Sequence, residues 1–206
     1  MSAKRGFQKI WKYETRQADT IARSIVESKP PRFGWRIFVL PVILIEYLRF
    51  RKSLKLTRKN LLFTRQLALE AAQGIRQGGD RAMEFRKVEI KTQNILDREK
   101  KGLYTEKVRR KQLVEIGLLI THYLNLLKSN HTRYEEMVKA AYPSKQHYIA
   151  FFEQLQKAER EVIQASIFTV RRGSKKERLK WFGKIERALA AARTQEAKQI
   201  FAQNSK

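Results

Sequence analysis

Apolar side chains recur every three or four residues along most of this chain, the spacing that places them on one face of an α-helix. The first such stretch should end before Pro30 and Pro31, because proline disfavours helix in the residue before it. Its apolar positions are Phe7, Ile10, Trp11, Ala18, Ile21, Ala22 and Ile25, and its opposite face carries Lys9, Lys12, Arg16 and Arg23. The pattern predicts a basic amphipathic helix within residues 1–29.

The same spacing predicts further helices between capping residues and glycines. A helix over residues 54–75 should stop at Gly78 and Gly79, and Asp80 should cap the next one. Within that next helix the stretch MEFRKVEI could also be a short strand. Thr105 should cap a helix whose residues 113–127 are apolar on nearly every face, typical of the buried centre of a bundle.

Two more helices complete the pattern. Ser144 should cap the first of them. The second follows a capping box formed by Ser174 and Glu177. Its predicted buried positions are Leu179, Phe182, Ile185 and Leu189. The sequence therefore predicts an all-α protein, an antiparallel helical bundle over residues 53–170 with basic amphipathic arms at both ends, residues 1–29 and 171–206.

Residues 30–52 form a short apolar segment with basic flanks. Its centre, residues 37–48, reads IFVLPVILIEYL, and as a helix it would span only about 18 Å of the ~30 Å hydrocarbon core. Positive charge on both sides suits a segment that enters one leaflet and returns, or lies in the interface, and Pro41 permits a bend. The alternative is a buried core helix, as expected for residues 113–127.

Charge determines the expected class of partner. The chain has 45 Lys and Arg against 20 Asp and Glu, a net charge of +25. Residues 1–65 hold 16 of these basic side chains and only 4 of the acidic ones. A surplus of this size repels itself unless a polyanion is nearby, and anionic lipid and nucleic acid are the two common counterparts.

We expect a non-enzymatic, membrane-associated cytoplasmic protein, peripheral to the inner face of the membrane, that docks on anionic lipid through the apolar segment. Apolar and aromatic side chains would enter the interface while Lys and Arg meet the headgroups. The expected membrane-binding residues are Arg32, Phe33, Trp35, Arg36, Phe38, Leu40, Val42, Leu44, Tyr47, Arg49, Arg51 and Lys52.

The alternative function is sequence-independent binding of RNA or DNA by basic helical faces. Residues 171–187 carry 8 basic and 2 acidic side chains, and Trp181 offers a ring on which a base could stack. The expected polyanion-binding residues are Arg171, Arg172, Lys175, Lys176, Lys180, Trp181 and Lys184. An acidic protein is a third possible partner.

No motif in the sequence indicates catalysis, a metal or a cofactor. The chain has no cysteine, and no histidine has a glutamate three residues before it, the spacing of carboxylate metal sites in bundles. The histidines His122, His131 and His147 fall close together in sequence. Glu115 and His122 could share one helix face, which indicates a buried polar pair rather than a catalytic site.

Overall fold

The computed structural model describes residues 3–26, 40–100, 102, 104–129, 131–167 and 175–202, and for residues 40–53 it describes the backbone alone. All regular elements in these ranges are helices. They are α1 (Ala3–Ile25), α2 (Leu40–Arg76), α3 (Arg81–Arg98), α4 (Glu106–Lys128), α5 (Tyr134–Ala141), α6 (Lys145–Ile167) and α7 (Lys175–Ala202). The protein is all-α, with seven described helices packed as a bundle.

Most predicted helix boundaries agree with the structure. Asp80 accepts a hydrogen bond from the Met83 amide, and Thr105 accepts one from the amide of Val108. The stretch MEFRKVEI lies inside α3, so the alternative that it forms a strand was wrong. Gly78 ends α2 with φ of +99°, a left-handed conformation that glycine adopts without steric cost. The predicted capping box at Ser174 lies outside the described residues.

The apolar segment differs most from its prediction. Its described part is the start of α2, which runs as one helix from Leu40 to Arg76 with no boundary near residue 52. Pro41 is the second residue of this helix, and the first turn tolerates proline because its amide would have no partner there. The chain therefore makes no turn back between residues 40 and 76, and the part of the predicted segment before Leu40, where it could return, lies outside the described residues.

Helix α4 lies at the centre of the core, as its apolar sequence predicted. Ile116, Leu119, Tyr123 and Leu126 are each at most 2% exposed. Burying side chains of this size stabilises the fold by about 1.5–3 kcal/mol each. Val114, which is 55% exposed, shows that one side of the helix still faces solvent.

The terminal helices belong to the bundle. The sequence indicated arms outside a core of residues 53–170, but α1 and α7 supply side chains to the core that α4 organises. From α1, Ile10 packs in it, and from α7, Ala197 and Ile200 do so. A smaller cluster joins Ile21 and Ile25 of α1 to Leu189 of α7.

Candidate functional site

Four helices meet at a buried network of ion pairs. Arg65 of α2 places Nε 2.9 Å from a carboxylate oxygen of Glu14 on α1 and Nη2 3.6 Å from Glu159 on α6. Arg193 of α7 places Nη2 2.6 Å from the same oxygen of Glu159. All four side chains are about 90% buried, so water screens these pairs weakly. Burial lowers the pKa of Arg65, but Glu14 and Glu159 more than offset this effect, and the pKa is raised overall.

Two more carboxylates extend the network. Glu115 of α4 accepts a hydrogen bond from Thr64 at 2.7 Å, and Glu196 of α7 accepts one each from Tyr134 and Tyr148. Burial, with the nearby charge of Glu159, raises the pKa of Glu115 to about 7. Burial likewise raises the pKa of Glu196 to about 7. These side chains thus bind protons near neutral pH, where exposed carboxylates do not.

A cavity of about 30 Å³ adjoins the network, and its lining includes Glu14, Arg65, His122, Arg193 and Glu196. A cavity of this size has room for a water molecule or two, whereas small-molecule sites have a few hundred Å³. The arrangement therefore joins helices and does not offer a pocket for a substrate.

The three histidines do not form a cluster in space. His122 is buried, with Nδ1 2.6 Å from the Tyr142 hydroxyl, while His131 and His147 are exposed. Burial, assisted by the positive charges of Arg65 and Arg193, lowers the pKa of His122 to about 3. The expected pairing of Glu115 with His122 is not made, because Glu115 bonds to Thr64 instead.

In the part of the chain that the structure describes, no three His, Asp or Glu side chains converge as metal ligands would. That the protein has no catalytic site or cofactor stays a prediction.

The start of α2 extends past the helices beside it. Thr64 bonds to Glu115 and Arg76 to the carbonyl of Leu127, both 51 residues apart in sequence, so α2 and α4 run parallel. The first residue of α4, Glu106, is therefore level with Lys55. Helix α1 runs antiparallel to α2, as the pairs Glu14–Arg65 and Asp19–Arg58 require, and its end is level with about residue 53. Residues 40–53 thus extend about 20 Å beyond both neighbours, at about 1.5 Å per residue.

The start of α7 leaves from the same end of the bundle. Ser24 of α1 and Arg187 of α7 line one groove, while Tyr13 of α1 and Glu196 of α7 line one cavity, so these helices are antiparallel. Residues 175–184 of α7 consequently run past the end of α1, in the same direction as residues 40–53. We call this region, residues 40–59 of α2 with residues 175–184 of α7, the basic end.

The described side chains of the basic end combine exposed cations with exposed apolar groups. Leu56 is 58% exposed and Leu179 is 50% exposed. Beside them the exposed cations are Lys55, Lys59, Lys176 and Lys180. Leu179 was predicted to be buried, which was wrong, whereas Phe182 and Leu189 are buried as predicted. Leu179 is exposed because it lies in the first turns of α7, beyond the end of α1.

The predicted binding residues fall in three groups. Arg32, Phe33, Trp35, Arg36, Phe38, Arg171 and Arg172 lie outside the described residues. Those with helical backbone but undescribed side chains are Leu40, Val42, Leu44, Tyr47, Arg49, Arg51, Lys52, Lys175 and Trp181. Lys176 and Lys180 are exposed and Lys184 is half-buried. The two sets that the sequence assigned to rival functions therefore lie, in their described parts, at the same end of the bundle.

Comparisons with protein-family models, curated proteins and solved structures give no match. None of the described helices is both long enough and apolar enough to cross a bilayer.

Proposed function

We propose that this protein is a non-enzymatic membrane-associated protein that docks peripherally on an anionic lipid surface through its basic end. The single observation that carries the proposal is the extension of α2, whose sequence from Leu40 to Phe50 is apolar apart from Glu46 and Arg49. It continues past the ends of α1 and α4, two of the helices that pack against α2. As a helix, residues 40–50 span about 16 Å, which suits insertion into one leaflet and is too short to cross two.

The charges around this extension support the same function. Lys55 and Lys59 are exposed at its base, and Lys176 and Lys180 are exposed on the part of α7 that runs in the same direction. Each cation next to an anionic leaflet contributes about 1 kcal/mol to binding. The exposed side chains of Leu56 and Leu179 add apolar area at the same end of the bundle. Insertion and charge would thus act together, as stable membrane anchoring generally requires.

The continuous helix α2 determines how the docking would work. Because α2 is one helix from Leu40 onward, its first turns would enter the membrane by their end. The bundle would then stand with its helix axes steeply inclined to the bilayer. Only the basic end, and not the sides of the bundle, would contact lipid.

Flotation with liposomes tests this proposal. We expect the full chain to float with vesicles containing phosphatidylserine, and Val42→Asp/Leu44→Asp to lower the bound fraction at least ~10-fold. A carboxylate within the hydrocarbon costs about 2.5–3.5 kcal/mol in insertion scales, so two should be prohibitive. The matched control is Met83→Asp/Ile90→Asp, because both residues are exposed and apolar but lie on α3.

The control variant should float like the wild type. If Val42→Asp/Leu44→Asp instead lowers the helical circular dichroism or the solubility, residues 40–50 are buried against the protein and the proposal is wrong. Failure of the wild type to bind acidic vesicles at moderate salt would also overturn it.

A further inference from the structure

The solvent face of α1 is a continuous cationic stripe. Arg5, Lys9, Lys12, Arg16 and Arg23 are all exposed. With 3.6 residues per turn, their positions fall within about 60° of the helix circumference. The buried positions of α1, such as Ile10 and Ile21, lie on the opposite side. The stripe therefore runs straight along the bundle for about 27 Å.

No carboxylate of α1 neutralises this stripe. Glu14 points into the core, where Arg65 and Tyr123 bind it. Asp19 lies next to the stripe but pairs with Arg58 of α2 at 2.9 Å. Because Glu14 is buried and Asp19 is paired, the exposed surface of α1 is more positive than its residue count suggests. Concentrated charge of one sign attracts a polyanion from solution.

A groove beside the stripe carries hydrogen-bond donors that suit an anionic partner. It lies between α1 and α7, has a volume of about 480 Å³, and is lined partly by Thr20, Ser24, Gln195 and Arg187. No carboxylate is among its lining residues. Hydroxyl, amide and guanidinium groups are donors that commonly contact phosphate oxygens.

The stripe does not serve the membrane docking proposed above. It runs up the side of the bundle from Arg23, near the basic end, to Arg5, about 27 Å farther away. A bilayer that meets the basic end would lie within reach of Arg23 but not of Arg5 or Lys9. These cations therefore indicate a second anionic partner.

We propose that the stripe on α1, with the groove beside it, binds the phosphate backbone of a nucleic acid duplex without regard to sequence. The straight row of charges matches a linear polyanion. An acidic protein partner fits less well, because protein interfaces centre on apolar and aromatic anchors and the large exposed apolar side chains of the described residues lie on other helices. A single strand fits less well too, because the aromatic residues of α1, Phe7, Trp11 and Tyr13, are half-buried in the core.

The salt dependence of binding to a mixed-sequence DNA duplex of about 20 base pairs tests this proposal. Each phosphate contact adds about 0.9 to the slope of log affinity against log salt. The test variant is Arg5→Gln/Lys9→Gln/Lys12→Gln/Arg16→Gln, and its slope should be shallower than that of the wild type by about 3–4. The matched control removes the same numbers of Arg and Lys from exposed positions on α3 and α6, as Arg86→Gln/Arg98→Gln/Lys145→Gln/Lys157→Gln.

The control should keep the slope of the wild type, and both variants should keep its circular dichroism spectrum, because all eight side chains are exposed. Equal loss of slope in the two variants would overturn the proposal, since the binding would then be a property of net charge. Preferential binding of an acidic peptide over the duplex would overturn it in favour of a protein partner. Val42→Asp/Leu44→Asp should bind the duplex like the wild type, which separates this site from the membrane proposal.

Discussion

Replacing Arg65 with methionine should lower the free energy of unfolding by about 3–5 kcal/mol, the usual result of removing one partner from a buried ion pair. The substitution keeps most of the side-chain volume but leaves Glu14 without a cation, and Glu159 with Arg193 alone. An unpaired buried carboxylate must either stay charged in a medium of low polarity or take up a proton. Urea denaturation followed by circular dichroism measures the loss.

Helix α2 carries a matched control for this prediction. Arg58 also pairs with a carboxylate of α1, and its Nε lies 2.9 Å from Asp19, the same distance as in the Arg65–Glu14 pair. The exposed pair has side chains 44% and 43% accessible, against 11% for each partner of the buried pair. Arg58→Met should therefore cost at most about 1 kcal/mol.

A double substitution identifies the cause of the loss. Arg65→Met/Glu14→Gln should be more stable than Arg65→Met, because the uncompensated charge on Glu14 is removed. Equal destabilisation by Arg65→Met and Arg58→Met would show that the buried network contributes no more than a surface pair, which contradicts the structure.

Replacing His122 with glutamine should make the fold less sensitive to acid. Burial lowers the pKa of His122 to about 3 in the folded protein, whereas an unfolded histidine titrates near 6.5. Its contribution to stability is therefore complete above about pH 6.5 and is lost as the pH falls below that value, because the unfolded chain then binds the extra proton. Relative to His122→Gln, the wild type should lose about 1.4 kcal/mol per pH unit in this range.

The pH dependence of unfolding must be compared between the wild type and His122→Gln, because two buried carboxylates change the stability with pH in the opposite direction to His122. The pKa of Glu115 and that of Glu196 are each raised to about 7, so their contributions are present below the unfolded value near 4.5 and are lost as the pH rises towards 7. Subtracting the free energy of unfolding of His122→Gln from that of the wild type at each pH removes the effects of these two carboxylates. Between pH 7.5 and pH 5 the difference should change by about 2 kcal/mol.

An exposed histidine gives the control, since His147→Gln removes one ring from the surface without touching the core. A difference between wild type and His122→Gln that stays constant from pH 7.5 to pH 5 would show that His122 is not held neutral by burial.

Local sequence signals predicted the fold well wherever one short stretch decides the outcome. Asp80 and Thr105 cap α3 and α4 as expected, because a cap needs only its own side chain and the amide three residues later. The apolar run of α4 is central because few arrangements can bury a helix that is apolar on most faces.

From the sequence, Glu115 was expected to be buried, but the ion network of Glu14, Arg65, Glu159 and Arg193 was not predicted. The signal was present in part. Glu14 stands four residues from both Ile10 and Ala18 in the apolar stripe of α1, and Glu159 stands four residues after Leu155, another core position. A carboxylate at a core position indicates a buried partner. Which partner it finds depends on which helices pack together, and one sequence does not contain that information in readable form.

The two errors at the basic end have one physical cause. Leu179 was assigned to the core because its spacing matches Phe182, yet it lies where α7 has passed the end of α1. Residues 40–53 were separated from α2 because their composition differs from that of the following residues, although the helix is continuous. Periodicity identifies the face of a helix that can be buried, but only the lengths of its neighbours decide how much of that face is covered.

The most direct test of the membrane-docking account is spin labelling of single cysteines. The chain has no cysteine of its own, so one can be introduced at Leu44, at Leu179 or at Ile90. On addition of phosphatidylserine vesicles, labels at 44 and 179 should become more accessible to oxygen and less accessible to a polar nickel complex. The label at 90, an exposed position on α3, should not change. A label at 44 that is inaccessible to both reagents, with and without vesicles, would show a buried segment and contradict the account.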